Sequence, residues 1–183
     1  MPSLVGSEMC IRDRNKIYAF DYMLSLFEEW YNEENKEQNR EFKNCSKLSM
    51  LKLLFLTAVP KGEDTRDLLD TFDNFCALPY GPVESDIYNA IQKDNLPSYV
   101  LTERSITKKR DITLPYNEND YLPVKNAVYA LKEKNRLLIL LNAFDLVEIT
   151  HKWDSWKQSI NFAKLMDLSL IHISEPTRLG MIS

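Results

Sequence analysis

Few side chains in this 183-residue chain could carry bond-making chemistry, and their spacing argues against it. His151 and His172 are too few for a histidine metal cluster. Cys10, Cys45 and Cys76 make neither a disulfide framework nor the paired spacing of a zinc site. Four glycines, none clustered, cannot build a phosphate-cradling loop. Cys76 with His151 is one nucleophile–base pairing that folding could assemble. Cys76 follows Phe75 into an apolar run, however, where a free cysteine packs as a small hydrophobe. The acidic pairs Glu28-Glu29 and Asp70 with Asp73 have the chemistry of general acids and bases, but they fall on faces read as solvated, with nothing to shift them. His151, between Thr150 and Trp153, reads as a structural hydrogen-bonder. The basic cluster Arg104, Lys108, Lys109 and Arg110 could touch phosphates. In a chain with 27 acidic and 23 basic residues, net −4, it reads as a solvated loop tip, which argues against a nucleic-acid partner. No catalytic residue, cofactor or metal-ligand set is expected, so the chain reads as a non-enzyme.

The elements that position these residues are mostly helical. At 44% hydrophobic and 27% charged the chain is neither disordered nor membrane-spanning in character; it lacks the roughly 18-residue apolar run of a membrane helix. Ile17, Phe20, Met23, Leu24, Phe27 and Trp30 recur at three- and four-residue steps, one stripe of an amphipathic helix that dissolves in the charged stretch 32–41. Ser46 is a good N-cap for a second helix, apolar nearly all round from Leu48 to Val59 and ended by Pro60 and Gly62. Such a helix belongs at the buried centre. Leu68, Leu69, Phe72 and Phe75 predict a third helix, Leu78–Pro82 a turn, and Pro82 the first turn of a fourth helix with Val83, Ile87, Tyr88 and Ile91 inward. Ser98–Leu101 and Asp111–Leu114 predict a small β-hairpin with the basic cluster between them. Pro123 starts a long helical region. Leu137–Leu141 is a buried run with a break near 142–145, and Asp154 or Ser155 caps a last helix through Trp156. The expected fold is mainly α: a single compact helical domain with a buried central helix and a small β-hairpin.

The two ends carry a signature of their own. Residues 4–13 and 168–178 can be encoded by DNA stretches that are reverse complements of each other, a pattern matching a sequencing-library adapter translated once in each orientation. Residues 1–14 and 168–183 are therefore read as adapter-derived, and residues 15–167 as the domain. Removing the ends takes away Arg12, Arg14 and Arg178 with Glu8, Asp13 and Glu175, so the balance stays at −4. Two separated cysteines in an acidic domain without a secretory signal pattern point to a reducing cytoplasm.

Three segments together resemble one family. Lys47-Leu-Ser-Met-Leu-Lys-Leu-Leu-Phe55, with Lys52, Leu53 and Leu54, is similar to its second-helix signature. Phe75 and Ala77, then Tyr80-Gly81-Pro82-Val83 and Tyr88, are similar to its most distinctive motif. Thr150-His151 followed by Trp156 is similar to its C-terminal element. The family is the SocA-like Panacea antitoxin domain, also described as phage-associated. The sequence departs from the pattern in having Phe72 as well as Phe75 before Ala77, and Trp153 beside His151. The resemblance implies a mostly helical antitoxin that binds and neutralises a toxin encoded beside it, through protein–protein contact. In that setting Gly81 is expected to supply an unusual backbone angle or close approach, and Tyr88 and Trp156 to anchor packing. The alternative is a phage- or mobile-element-associated interaction protein, or a DNA-linked regulator, without a toxin partner.

Overall fold

A computed structural model of the chain describes residues 3–36, 40–59, 68–152 and 171–173, the side chains of 3–10 and 171–173 excepted. Helix α1 spans Ser3–Glu34. Its expected stripe is its buried face: Phe20, Met23, Leu24, Phe27 and Trp30 lie in the core, each worth roughly 1.5–3 kcal/mol of transfer energy. The charged stretch begins inside the helix, so the stripe ends before the helix does. Helix α2 spans Lys47–Ala58, and Ser46 caps it as expected by accepting the Ser49 N–H at 3.2 Å. Every α2 residue except Leu48 is buried, including Lys47, Ser49, Lys52 and Thr57. This is the buried central helix, packed against the elements around it.

Between α2 and the next helix the structure corrects the helical reading. Leu68 and Phe72 are buried, but a turn holds them, with the Phe72 N–H donating to the Leu68 carbonyl at 2.7 Å. Phe75–Leu78 forms strand β1 and Gly81–Glu84 strand β2, joined by the turn at Pro79-Tyr80. Phe75 and Val83 are buried as anticipated but on strands, because a four-residue apolar run bounded by Pro and Gly satisfies either period. Pro82 is a strand residue rather than a helix start. It is tolerated because β2 is the sheet's edge, in the order β2-β1-β5. Helix α3, Ser85–Gln92, begins three residues later, capped by Glu84, whose carboxylate accepts the Ile87 N–H at 2.8 Å. Its inner face holds Ile87 and Ile91, while Tyr88 points outward.

The β-hairpin exists with a different second strand. Strand β3, Tyr99–Leu101, pairs antiparallel with β4, Ile106–Lys108, not with 111–114. The Thr102–Ser105 turn closes it locally: the Thr102 N–H donates to the Ser105 carbonyl at 2.8 Å. Buried Asp21 on α1 ties down the following segment by accepting from the Ser98 N–H and hydroxyl and from the Tyr116 hydroxyl, at 2.7–2.8 Å. Helix α4, Leu122–Lys134, has Pro123 in its first turn. A 3₁₀ turn over Arg136–Leu140 buries Leu138 and Ile139 and leaves Leu137 exposed. Asn142 then caps α5, Ala143–His151, accepting the Phe144 and Asp145 N–H groups. The expected last helix through Trp156 lies outside the described residues. Strand β5, Ile171–Ile173, pairs antiparallel with the free side of β1. Among the described residues the fold is thus helix-rich with two small antiparallel sheets, not strictly all-α.

Candidate functional site

Three motif segments that are distant in sequence meet at Gly81. From α2, Lys52 reaches β2 and donates from Nζ to the Pro82 carbonyl at 2.9 Å. From α5, Thr150 and His151 close on the same turn. A β-carbon on Gly81 would stand 2.8 Å from Thr150 Oγ1, 3.1 Å from Lys52 Nζ and 3.4 Å from the His151 ring. Gly81 also has φ of +95°, so both expectations for it, an unusual angle and a close approach, hold at once. The His151 ring hydrogen-bonds the Pro79 backbone, and the Thr150 hydroxyl donates to the Val147 carbonyl at 2.9 Å. Burial pushes the Lys52 ammonium down to about 7. Burial, and then the neighbouring Lys52, also lower His151. Lys52 is fully buried, and among the described residues no carboxylate is hydrogen-bonded to it, so the junction holds its ammonium at an energetic cost.

Leu53, Leu54, Phe75 and Ala77 are core residues with 0% exposure; Phe75 meets Phe55 edge-on at 5.4 Å between ring centroids. They shape the site from behind. Four further motif residues, Lys47, Tyr80, Val83 and Tyr88, line one groove. Leu51 and Val83 floor a groove of about 430 Å³, rimmed by Tyr80, Tyr88 and Phe144. Tyr80 is 64% exposed and Phe144 74%, a large apolar display for a surface of this size. At one end Lys47 Nζ lies 2.5 Å from Glu103 Oε1 and 5.1 Å from the Tyr88 ring centroid, a cation–π contact that fixes the tyrosine. Tyr88 therefore does not anchor packing from within, as expected, but presents a ring at the groove. Trp156 lies outside the described residues. Phe144 was not singled out by sequence, and Asn142-Ala143-Phe144 offers only a cap signal.

Sequence reasoning also missed a buried ionic cluster. Lys16 Nζ bonds Asp73 and Glu84 at 2.7 Å each and Asp86 at 2.6 Å. Burial alone would lower Lys16; hydrogen bonds to Asp73, Asp86 and Glu84 overcome it and hold the ammonium well above its usual range. Burial raises Glu84, with Lys16 opposing. The three carboxylates offer oxygens within 4.8 Å of one another, so they could hold a cation, and Lys16 already supplies one. The cluster ties α1 to the end of β2 and the start of α3.

Several of the residues weighed for catalysis and for phosphate contact are otherwise engaged. Asp73 is bound to Lys16 and Arg12, while Asp70 is exposed on a turn. Glu28 accepts the Tyr99 hydroxyl at 2.7 Å and pairs with Lys108 at 3.3 Å. Lys109 pairs with Asp94 at 3.1 Å and donates to the Leu96 carbonyl, which leaves Arg104 and Arg110 as the solvated members of the basic cluster. Cys76 Sγ lies 2.9 Å from Ser85 Oγ, and burial pushes the Cys45 thiol up to about 11, away from the thiolate. Comparison with models of protein families, with curated proteins and with solved structures finds no match to this chain.

Proposed function

We propose that this chain is an antitoxin-type binding protein of the SocA-like Panacea kind, a cytoplasmic non-enzyme that neutralises a toxin encoded beside it by direct contact. The observation that carries this reading is the groove: Lys47, Tyr80, Val83 and Tyr88, four residues of the family pattern, line one exposed aromatic surface. Aromatic side chains at the centre of a contact supply much of its binding energy. A net charge of −4 adds long-range attraction for a basic partner. The internal pairing of Lys108 and Lys109 weakens the DNA-linked alternative.

The test is growth. The reading frame flanking the gene is induced with and without this chain. Arrest relieved by co-expression is the expected result. A harmless neighbour, or arrest that co-expression leaves untouched, overturns the antitoxin reading in favour of an interaction protein with another target.

A further inference from the structure

Strand β1 has two pairing edges. β2 takes one; β5 takes the other, with Ile173 opposite Phe75, His172 opposite Cys76 and Ile171 opposite Ala77. β5 falls in the stretch 168–183 that the reverse-complement argument assigns to translated adapter, so its sequence was not selected to fit this seat. The seat itself is built by the domain. With β5 in place Phe75 and Ala77 are fully buried and Cys76 nearly so, and β2 pairs the strand along its far side. A rigid edge recognises backbone first, which is why an unselected tripeptide can occupy it.

We infer that the open edge of β1 is a docking site for an extended segment of the partner protein, added antiparallel where β5 now pairs and continuing into the aromatic groove. This rests on the binding-protein reading above. The register specifies the segment. Its residues opposite Phe75 and Ala77 fall on the sheet face that those two bury, which selects apolar side chains there. The intervening residue, opposite Cys76, shares the other face with Val83, which floors the groove. Because the pairing is antiparallel, the residue preceding the one opposite Ala77 falls beside Leu78, and Leu78 also lines the groove. The N-terminal side of the segment therefore carries the anchor that enters between Tyr80, Tyr88 and Phe144. A strand apolar at the positions opposite Phe75 and Ala77, preceded by a bulky apolar residue, is the predicted ligand.

The experiment uses the full chain with Ile171→Pro and His172→Pro together, which removes the ladder N–H at either pairing parity. The probe is a fluorescent synthetic peptide of residues 167–176, Asp-Leu-Ser-Leu-Ile-His-Ile-Ser-Glu-Pro. The variant is expected to bind the peptide at least tenfold more tightly than the parent, whose own β5 competes. The same peptide with both prolines is expected not to bind, and amide exchange at 75–77 is expected to slow when the unmodified peptide is present. Ile173→Asp, which keeps the backbone and puts a carboxylate opposite Phe75, serves where the prolines disturb folding, and it gives the same ordering. A folded variant that ignores the peptide, or exchange at 75–77 equal in parent and variant, overturns the proposal. Dimerisation of the variant without peptide overturns it in favour of a second copy. Peptide capture needs no toxin, so capture without growth rescue sinks the functional reading alone, and rescue without capture sinks the edge alone.

Discussion

Gly81 and Thr150 are packed so closely that a β-carbon at position 81 would lie 2.8 Å from Thr150 Oγ1. Steric overlap and the positive φ act together there. Gly81→Ala is expected to cost about 2–4 kcal/mol, from backbone strain plus overpacking. Gly81→Ala with Thr150→Ala removes the closest overlap but keeps the strained angle and the 3.1 Å approach to Lys52 Nζ, so it should recover only part of the loss. Urea titration of the two variants beside the parent measures this. Full recovery would mean that the angle carries no cost.

Lys52 makes stability depend on pH in a direction opposite to a salt-bridged lysine. Its folded value, about 7, lies below its ordinary 10.5, so the unfolded chain binds more protons between those limits. Stability should therefore climb as pH rises from about 7 toward 10.5, with the full deficit present below 7. Lys52→Met removes the buried ammonium and should stabilise the chain by about 1–4 kcal/mol near pH 6, less what the orphaned Pro82 carbonyl takes back. It should also flatten that alkaline slope. Because Lys52 helps lower His151, the same substitution should move the His151 titration upward, which NMR can follow. A Lys52→Met chain no more stable than the parent would mean that the ammonium finds compensation this geometry does not reveal.

Lys16 is the cation that makes a buried Glu84 tolerable. Lys16→Met strands the Glu84 carboxylate, which has no exposed side-chain surface, and should cost about 3–5 kcal/mol. Glu84→Gln added to Lys16→Met should recover part of that: one amide oxygen can still cap α3 through the Ile87 N–H, but the amide nitrogen then faces the Asn74 N–H that Glu84 accepted. The coupling energy from the double-mutant cycle is the readout, and near-additive losses would refute the pairing.

The sequence made some of this legible and hid the rest for physical reasons. Ser46, the unbroken apolar run of α2 and the stripe on α1 are local signals, and they mark the elements that form. Phe72 and Phe75 are buried but not helical: positions 68, 69, 72 and 75 fit a helical period, while Pro79 and Gly81 enforce a hairpin. The second hairpin slipped for a related reason: Ile106-Thr107-Lys108 carries a weak β signal, and the Thr102–Ser105 turn that selects it operates through hydroxyl bonds. Lys16 and Glu84, 68 positions apart, form a pair that nothing local announces. The family pattern named Lys52, Gly81, Thr150 and His151 separately; only the fold brings them to one point. It also places Leu53, Leu54, Phe75 and Ala77 in the core.

Tyr80 and Phe144 provide the sharpest division between folding and binding. Both rings are mostly exposed, so truncating either removes little buried area and should leave stability within about 0.5 kcal/mol of the parent. Both rim the groove, so the same truncations should weaken partner binding by about 1–2 kcal/mol each, enough to lower growth rescue at limiting expression. Tyr129→Ala on α4 is the matched control: its ring is 42% exposed, but it is not a groove residue, and rescue should persist. Thermal melts and titrated co-expression of the three variants decide the matter together. Equal loss of rescue in all three would point to general surface sensitivity, and intact rescue in Tyr80→Ala and Phe144→Ala would move the partner's footprint away from this groove.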